Sequence, residues 1–480
     1  MESDYRTKTL KGFRWSFINS IGTFVISFVG SLIIARIVGP SAYGLIAYVT
    51  IFTSAFQTLT DSGFSSSLIR KNKISNQDFS TAFIFNLLVS IILYLLLYIS
   101  APHISDFFNE NLLTLLLRFM GLVVIIDAIS ITQYTRLKKQ LNFKIQAKAS
   151  IYSSTLSTII GVLMAYMDYG VWSLAWMYFI KSAINTYLLC NYSKWIPSFS
   201  FSKKSFIYML DFGWKVLVSN IISSFWAQVY KVIIGKNYDN KILGFYTQAY
   251  NIINAFSINF TYAIKNVSYP SLSELQDNKQ SFMQGYIKIY KLTAYISTIC
   301  LLGLAATADS LVFVILGAEW VECSSYIRII CFGAVFYPLI NLNLNVLQIY
   351  KRTDLFLYLE IIAKLIGILP LVIGAILGIK WLLWVSVIQN LIQFLLDGYY
   401  SGRIMGYKIV NQIKDLLPLM LIALSMFLVI YTLSFMSLSP YFLLPFLIII
   451  GVTIVIFLSY IFKINEFFEL KKILKGFIIK

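Results

Sequence analysis

Charge is scarce in this chain, with only 12% of its 480 residues being Asp, Glu, Lys or Arg, about half the share of an ordinary soluble domain. Nowhere do roughly 100 consecutive residues have the polar composition of a globular domain, which excludes a large soluble catalytic part. Histidine occurs once, at His103, and no Ser-His-Asp, HExxH, Walker or GxGxxG arrangement is present. A membrane hydrolase or an ATP-driven pump would lack its usual equipment. The four cysteines, Cys190, Cys300, Cys323 and Cys331, lack CxxC spacing and read as small membrane-buried hydrophobes. Neither a metal nor a cofactor is expected, and the chain is expected not to be an enzyme.

What the chain has instead is apolar sequence: 58% of residues are hydrophobic and the mean hydropathy is +0.76. A spanning helix needs about 20 mostly apolar residues. Such runs occupy 16–38, 43–68, 80–100, 112–134, 150–167, 170–191, 213–235, 243–264, 289–310, 322–348, 358–378, 381–400, 416–436 and 441–462. They predict an all-α integral membrane protein of about 14 transmembrane helices. The expected organisation is two six-helix lobes, 1–192 and 193–402, followed by two extra helices and an amphipathic tail in 403–480. The first run holds Arg36 and ends without a small-residue cleavage site, so it reads as a retained helix and not a signal peptide.

The net charge of +18 is placed unevenly. Alternate loops carry Arg70, Lys71 and Lys73; Arg136, Lys138, Lys139, Lys144 and Lys148; Lys194, Lys203 and Lys204; Lys265, Lys279 and Lys288; Lys351 and Arg352; Arg403, Lys408 and Lys414. The intervening loops, including 101–111, 168–169, 309–321 and 437–440, are nearly free of Lys and Arg, with Lys236, Lys241 and Lys380 as exceptions. Cytoplasmic loops are the basic ones, so both termini are expected in the cytoplasm. Topology and anionic lipid headgroups account for the charge without a nucleic-acid partner.

The two halves are faintly alike. Phe13-Arg14-Trp15 opens the first helix as Phe212-Gly213-Trp214 opens the seventh, and Tyr43-Gly44-Leu45 opens the second as Leu243-Gly244-Phe245 opens the eighth. Each half then crosses six times from the same side, which makes the repeat parallel, about an axis along the membrane normal.

Ionisable residues inside spans are costly and serve as candidate functional groups. Arg36, Arg118, Asp127, Lys181, Lys215, Lys231, Arg328, Glu360 and Lys364 qualify. Lys181 and Lys231 lie deepest and line a polar cavity or pack structurally; Lys215, Arg36 and Arg328 lie near helix ends and can instead snorkel to headgroups. The eighth helix adds Gln248, Asn251, Asn254 and Asn259 with Tyr250, and the tenth adds Asn341, Asn343 and Asn345. These amides can bind sugars or hold neighbouring helices. Asp61 and Asp127 can carry a coupling proton or cation, or simply accept hydrogen bonds. The tail 465–480, alternating Phe467, Phe468, Leu470 and Ile473 with Lys471, Lys472 and Lys475, reads as an interfacial anchor.

The order Ala35-Arg36-Ile37-Val38-Gly39-Pro40-Ser41-Ala42-Tyr43-Gly44, then Asp61-Ser62-Gly63-Phe64-Ser65-Ser66-Ser67-Leu68-Ile69-Arg70, resembles the opening of the bacterial polysaccharide exporter family. That family belongs to the multidrug, oligosaccharidyl-lipid and polysaccharide flippase superfamily. Gly235-Lys236, the run from Leu243 to Asn251, Tyr269-Pro270-Ser271-Leu272-Ser273 and Gly317-Ala318-Glu319-Trp320 extend the resemblance over nearly the whole chain. It is most similar to the branch with colanic acid and teichuronic acid exporters. The resemblance implies a flippase in the bacterial cytoplasmic membrane. It would export undecaprenyl-(pyro)phosphate-linked oligosaccharide repeat units for surface polysaccharide synthesis by alternating access. It further implies a cationic central cavity, for which Arg14, Arg36, Lys215 and Lys231 on the first and seventh helices are the candidates. The implied partners are the lipid-linked oligosaccharide, membrane lipids and polysaccharide polymerase machinery. A multidrug or organic-cation antiporter on the same scaffold is the alternative, and a membrane glycosyltransferase or polymerase a further one.

Overall fold

A computed structural model describes residues 2–61, 63–71, 74–140, 142–198 and 200–478, with side chains described except at 2–14, 16–18, 215, 258–267, 269–271, 353 and 473–478. Every regular element among them is helical. In chain order these are α1 (Glu2–Val38), α2 (Pro40–Asp61), α3 (Phe64–Arg70), α4 (Asn76–Phe108), α5 (Leu112–Lys139), α6 (Phe143–Tyr166), α7 (Val171–Ser193), α8 (Lys203–Asn237) and α9 (Asn240–Glu274). There follow α10 (Lys279–Ala306), α11 (Ala308–Leu316), α12 (Val321–Ala334), α13 (Tyr337–Ile349), α14 (Thr353–Ile366), α15 (Ile368–Leu377), α16 (Ile379–Met405), α17 (Ile409–Leu433), α18 (Pro440–Ile461) and α19 (Asn465–Ile478).

Twelve stretches among the described residues are long and apolar enough to cross a membrane. The expected runs 170–191 and 243–264 are not among these twelve but lie in α7 and α9, helices of 23 and 35 residues. Both are diluted by polar side chains, such as Lys181 and Asn185 in α7 and Gln248, Asn251 and Asn254 in α9. Four expected spans run over two helices in series, among them 289–310, which passes from α10 into α11 at Thr307. The run 43–68 breaks where Gly63 takes a left-handed φ of 71°. The run 322–348 breaks ahead of Pro338, which cannot donate to the preceding turn, and 358–378 breaks at Gly367.

Local chemistry sets several helix starts. Pro40, whose fixed φ suits a first helical turn, begins α2 after Gly39 at φ 81°. The Ser75 hydroxyl accepts from the Asp78 amide while the Asp78 carboxylate accepts from the Ser75 amide at 2.8 Å, a capping box that begins α4.

The helices form two compact units, Met1–Gly244 and Phe245–Lys480. In the first, α1 packs on α6, α4 on α5, α6 on α7, and α2 on both α5 and α8. The basic loops of this unit gather at one end. Lys139 Nζ donates to the carbonyl oxygens of Ile69 and, at 2.7 Å, Lys71, and Arg136 donates to that of Ser193 at 3.1 Å. Beneath them Trp195 packs edge-on against Phe79 and Phe83. In the second unit α10 packs on α17, and α12, α13 and α15 on α16. Asn343 organises its interior: its Oδ1 accepts from Tyr286 at 2.8 Å and Ser401 at 2.6 Å, and its Nδ2 donates to Gln412 at 3.2 Å. The expected tail is helical as α19, tied to α10 by Lys288 and Glu469 at 3.0 Å.

Candidate functional site

A polar pocket of about 340 Å³ lies within the first unit. Its walls come from five helices: Asn19 and Thr23 of α1, Gln57 of α2, Val123 and Asp127 of α5, Ser150, Ser153 and Ser154 of α6, and Tyr178, Lys181, Ser182 and Asn185 of α7. The α7 residues recur at steps of three, one and three, and so share one helical face. Ser150, Ser153 and Ser154 do the same on α6.

Asp127 anchors the pocket. One carboxylate oxygen accepts from Gln57 Nε2 at 2.7 Å and the other from the Ser182 hydroxyl. Its own turn is held from behind, because Ser130 donates to the Asp127 carbonyl at 2.9 Å and Thr186 to that of Ile126 at 3.1 Å. Lys181 Nζ donates to Ser27 Oγ at 3.2 Å. The Lys181 ammonium and the Asp127 carboxylate line the same pocket. Asn19 Oδ1, Asn185 Oδ1 and Ser154 Oγ are buried in the same walls without a partner. The pocket thus offers acceptors with unused capacity beside one positive and one negative group. It can bind and release a proton or a small polar group. Among the described residues no cluster of His, Cys, Asp and Glu has the makeup of a metal centre.

Of the candidates raised from sequence, this pocket brings together Asp127 and Lys181. Asp61 lies at the α2–α3 break, accepting from Ser65, whose Oγ also accepts from Thr135 at 2.8 Å. Arg36 is exposed in the last turn of α1, and Lys231 is half-buried on α8. The side chains of Arg14 and Lys215 lie outside the described residues. Gln248 and Asn251 belong to the second unit, the first fully buried with its amide unpartnered and the second exposed. An apolar cavity of about 430 Å³ lies between α2, α4 and α8, with His103 and Gln228 on its rim.

Sequence reasoning passed over Gln57, Ser182, Asn19 and Asn185, because it weighed neutral polar residues only where they cluster, on the eighth and tenth helices. The signal was the helical spacing of neutral polar residues, Asn19 with Thr23 and Lys181 with Asn185. It also passed over Asp397 of α16, 1% exposed with neither carboxylate oxygen partnered.

The model of a family described as polysaccharide biosynthesis protein matches residues 33–325, from the end of α1 to α12. The chain belongs to the polysaccharide biosynthesis protein family. Relatives in that setting include the teichuronic acid biosynthesis protein TuaB of Bacillus subtilis (strain 168), 22% identical over 428 residues, 88% of this chain and 89% of the relative. The lipopolysaccharide biosynthesis protein WzxC of Escherichia coli (strain K12) is 22% identical over 375 residues, 77% of this chain and 75% of the relative. Among solved structures, the lipid II flippase MurJ in an inward closed conformation superposes with a TM-score of 0.75 at 19% identity, covering 93% of this chain and 98% of that one. An inward-facing multidrug resistance MATE family transporter gives 0.62 at 14% identity, covering 80% and 94%. This family member therefore has the helical fold shared by those two transporters.

Proposed function

We propose that the chain is a flippase that moves a lipid-linked oligosaccharide across the bacterial cytoplasmic membrane for surface polysaccharide synthesis. In this reading fourteen spans form two six-helix lobes, 1–192 and 193–402, that alternate in access, with 403–480 appended. Both termini and the basic loops face the cytoplasm. Undecaprenyl-(pyro)phosphate is the proposed carrier, and polysaccharide polymerase machinery the proposed consumer of the product. The observation that carries the proposal is the family match over 33–325 on a chain that places Asp127, Lys181 and Lys231 within apolar helices.

Roles divide by chemistry. Lys231, Lys215, Arg36 and Arg14 attract the anionic headgroup, since phosphate recognition by Lys and Arg rests on charge and charge-assisted hydrogen bonds. Gln248 and Asn251 hydrogen-bond sugars. The Asp127–Lys181 pocket serves ion coupling: Asp127 already holds two donors, so a change in its charge is felt on α2 and α7 together. Asp61 is the second coupling candidate.

The deciding experiment isolates lipid-linked intermediates from a strain lacking the protein. Accumulation of a complete lipid-linked repeat unit on the cytoplasmic face, reversed by the wild-type gene, is the expected result. Unchanged lipid intermediates together with new sensitivity to cationic dyes would replace this proposal with the antiporter.

A further inference from the structure

The repeated glycines of the second and eighth helices play no part in the pocket. They meet each other. A Cβ placed on Gly44 would stand 1.8 Å from the carbonyl oxygen of Asn240, and one on Gly244 would stand 2.0 Å from that of Pro40. Each first turn, of α2 and of α9, thus presents backbone to the other's glycine in a reciprocal crossing, the pattern of an isologous contact. A carbon and a carbonyl oxygen ordinarily stay about 3.3 Å apart. A side chain at either glycine must therefore force the two turns apart.

Side-chain hydrogen bonds flank the crossing. Tyr48 donates to the Gly235 carbonyl at 3.0 Å, Asn240 Nδ2 to Glu110 at 2.8 Å, and Lys236 to the Phe107 carbonyl at 2.7 Å. Gly235 is itself a close approach, for its Cβ would lie 2.2 Å from the Tyr48 ring. The contact joins backbone surfaces and single hydrogen bonds beside the buried side chains of Leu45, Ile46, Tyr48 and Leu243, all within the first unit. At the other end of α2 a Cβ on Gly63 would meet the Gly213 carbonyl at 2.4 Å, and Ser67 donates to the Met209 carbonyl at 3.0 Å. Both ends of α2 are therefore fastened through glycine.

We propose that the Gly44–Gly244 crossing is the outer gate of the transporter, closed in this structure and parted when the outer end opens. The proposal rests on the alternating-access reading above. It explains why both copies of the repeat carry glycine at this position: only glycine lets the two turns touch.

The test places Ala42→Cys, 7% exposed in the first turn of α2, in a chain whose four native cysteines are replaced. Its labelling by a membrane-impermeant maleimide is followed on intact cells and on permeabilised membranes. Gly44→Ala and Gly244→Ala should each speed labelling from outside about ten-fold, as expected when a minor open state becomes a major one. Export should fall while membrane abundance holds. Tyr48→Phe adds no atom and should give a smaller rise of about two-fold, so the test stands even where a glycine variant does not accumulate. Parental labelling rates in Tyr48→Phe and in every glycine variant that accumulates would overturn the gate. The labelling arm requires no substrate. If labelling behaves as expected while lipid-linked intermediates are unaffected by the protein's loss, the gate stands and the flippase reading falls.

Discussion

Replacing Asp127 offers a quantitative test of the pocket. Its carboxylate accepts two hydrogen bonds, from Gln57 at 2.7 Å and from Ser182, and hydrogen bonds to a charged group contribute about 1.5–3 kcal/mol each. Asp127→Ala orphans both donors and should destabilise by about 3 kcal/mol, the lower end of the sum. Water limits the loss, since a pocket of about 340 Å³ exceeds the roughly 30 Å³ share of one molecule. Asp127→Asn keeps one acceptor and should cost about 1–2 kcal/mol. Either change strands Lys181, whose hydrogen bond is to the neutral Ser27. A stranded buried charge is expensive, so Asp127→Asn with Lys181→Gln should be less destabilised than the two single variants summed, by about 1 kcal/mol. The coupling should fall short of that for a touching ion pair, because the two groups are not in direct contact. Denaturant unfolding of purified protein in one detergent, on all four corners of the cycle, measures it. Additivity to within about 0.3 kcal/mol would refute the claim that the two charges share an energetic unit, and unaltered export by Asp127→Asn would remove the coupling role.

Three further outcomes are expected. Lys231→Gln should impair export strongly at normal membrane abundance while Lys231→Arg retains part of it, whereas wild-type export by Lys231→Gln would take Lys231 out of the substrate path. Trp195→Ala, emptying a site packed by Phe79 and Phe83, should cost about 3–5 kcal/mol and appear as loss of folded protein, with no separate loss of export per molecule. Burial, and then the neighbouring Asp239, raise the Glu110 carboxyl above its ordinary value; a raised value means the closed gate holds its proton more tightly, so closure is favoured as pH falls and weakened as pH rises. Labelling at Ala42→Cys, normalised to that at exposed Ser41→Cys, should therefore increase from acid toward neutral pH, and Glu110→Gln should flatten the profile.

The membrane architecture was legible because lipid imposes a length and a composition on every span. The basic loops set an expected sidedness for a related reason, since side-of-membrane sorting acts on short loops one at a time. The pocket was only half legible. Asp127 and Lys181 stood out as charges in apolar helices, but Gln57, Asn19 and Asn185 are neutral and affordable almost anywhere in a bundle. Only tertiary packing shows that they converge. Asp397 escaped notice near the basic end of α16, where a carboxylate reads as interfacial until its burial is known. The helix breaks at Gly63, Pro338 and Gly367 were written in the sequence as Gly and Pro, yet hydropathy averages across such residues without registering them.

The ties made by Lys139 and Arg136 bear on how the chain is assembled during synthesis. In the proposed topology the cations that would keep this loop in the cytoplasm also bond to carbonyls at the ends of α3 and α7. Lys139 finds its acceptors as soon as α5 has been inserted, because α3 precedes it. Arg136 must wait for α7 to leave the ribosome. The loop is thus fastened in two instalments, and neutralising it should leave two separable lesions, a wrongly threaded fraction and a correctly threaded one whose ends are loose.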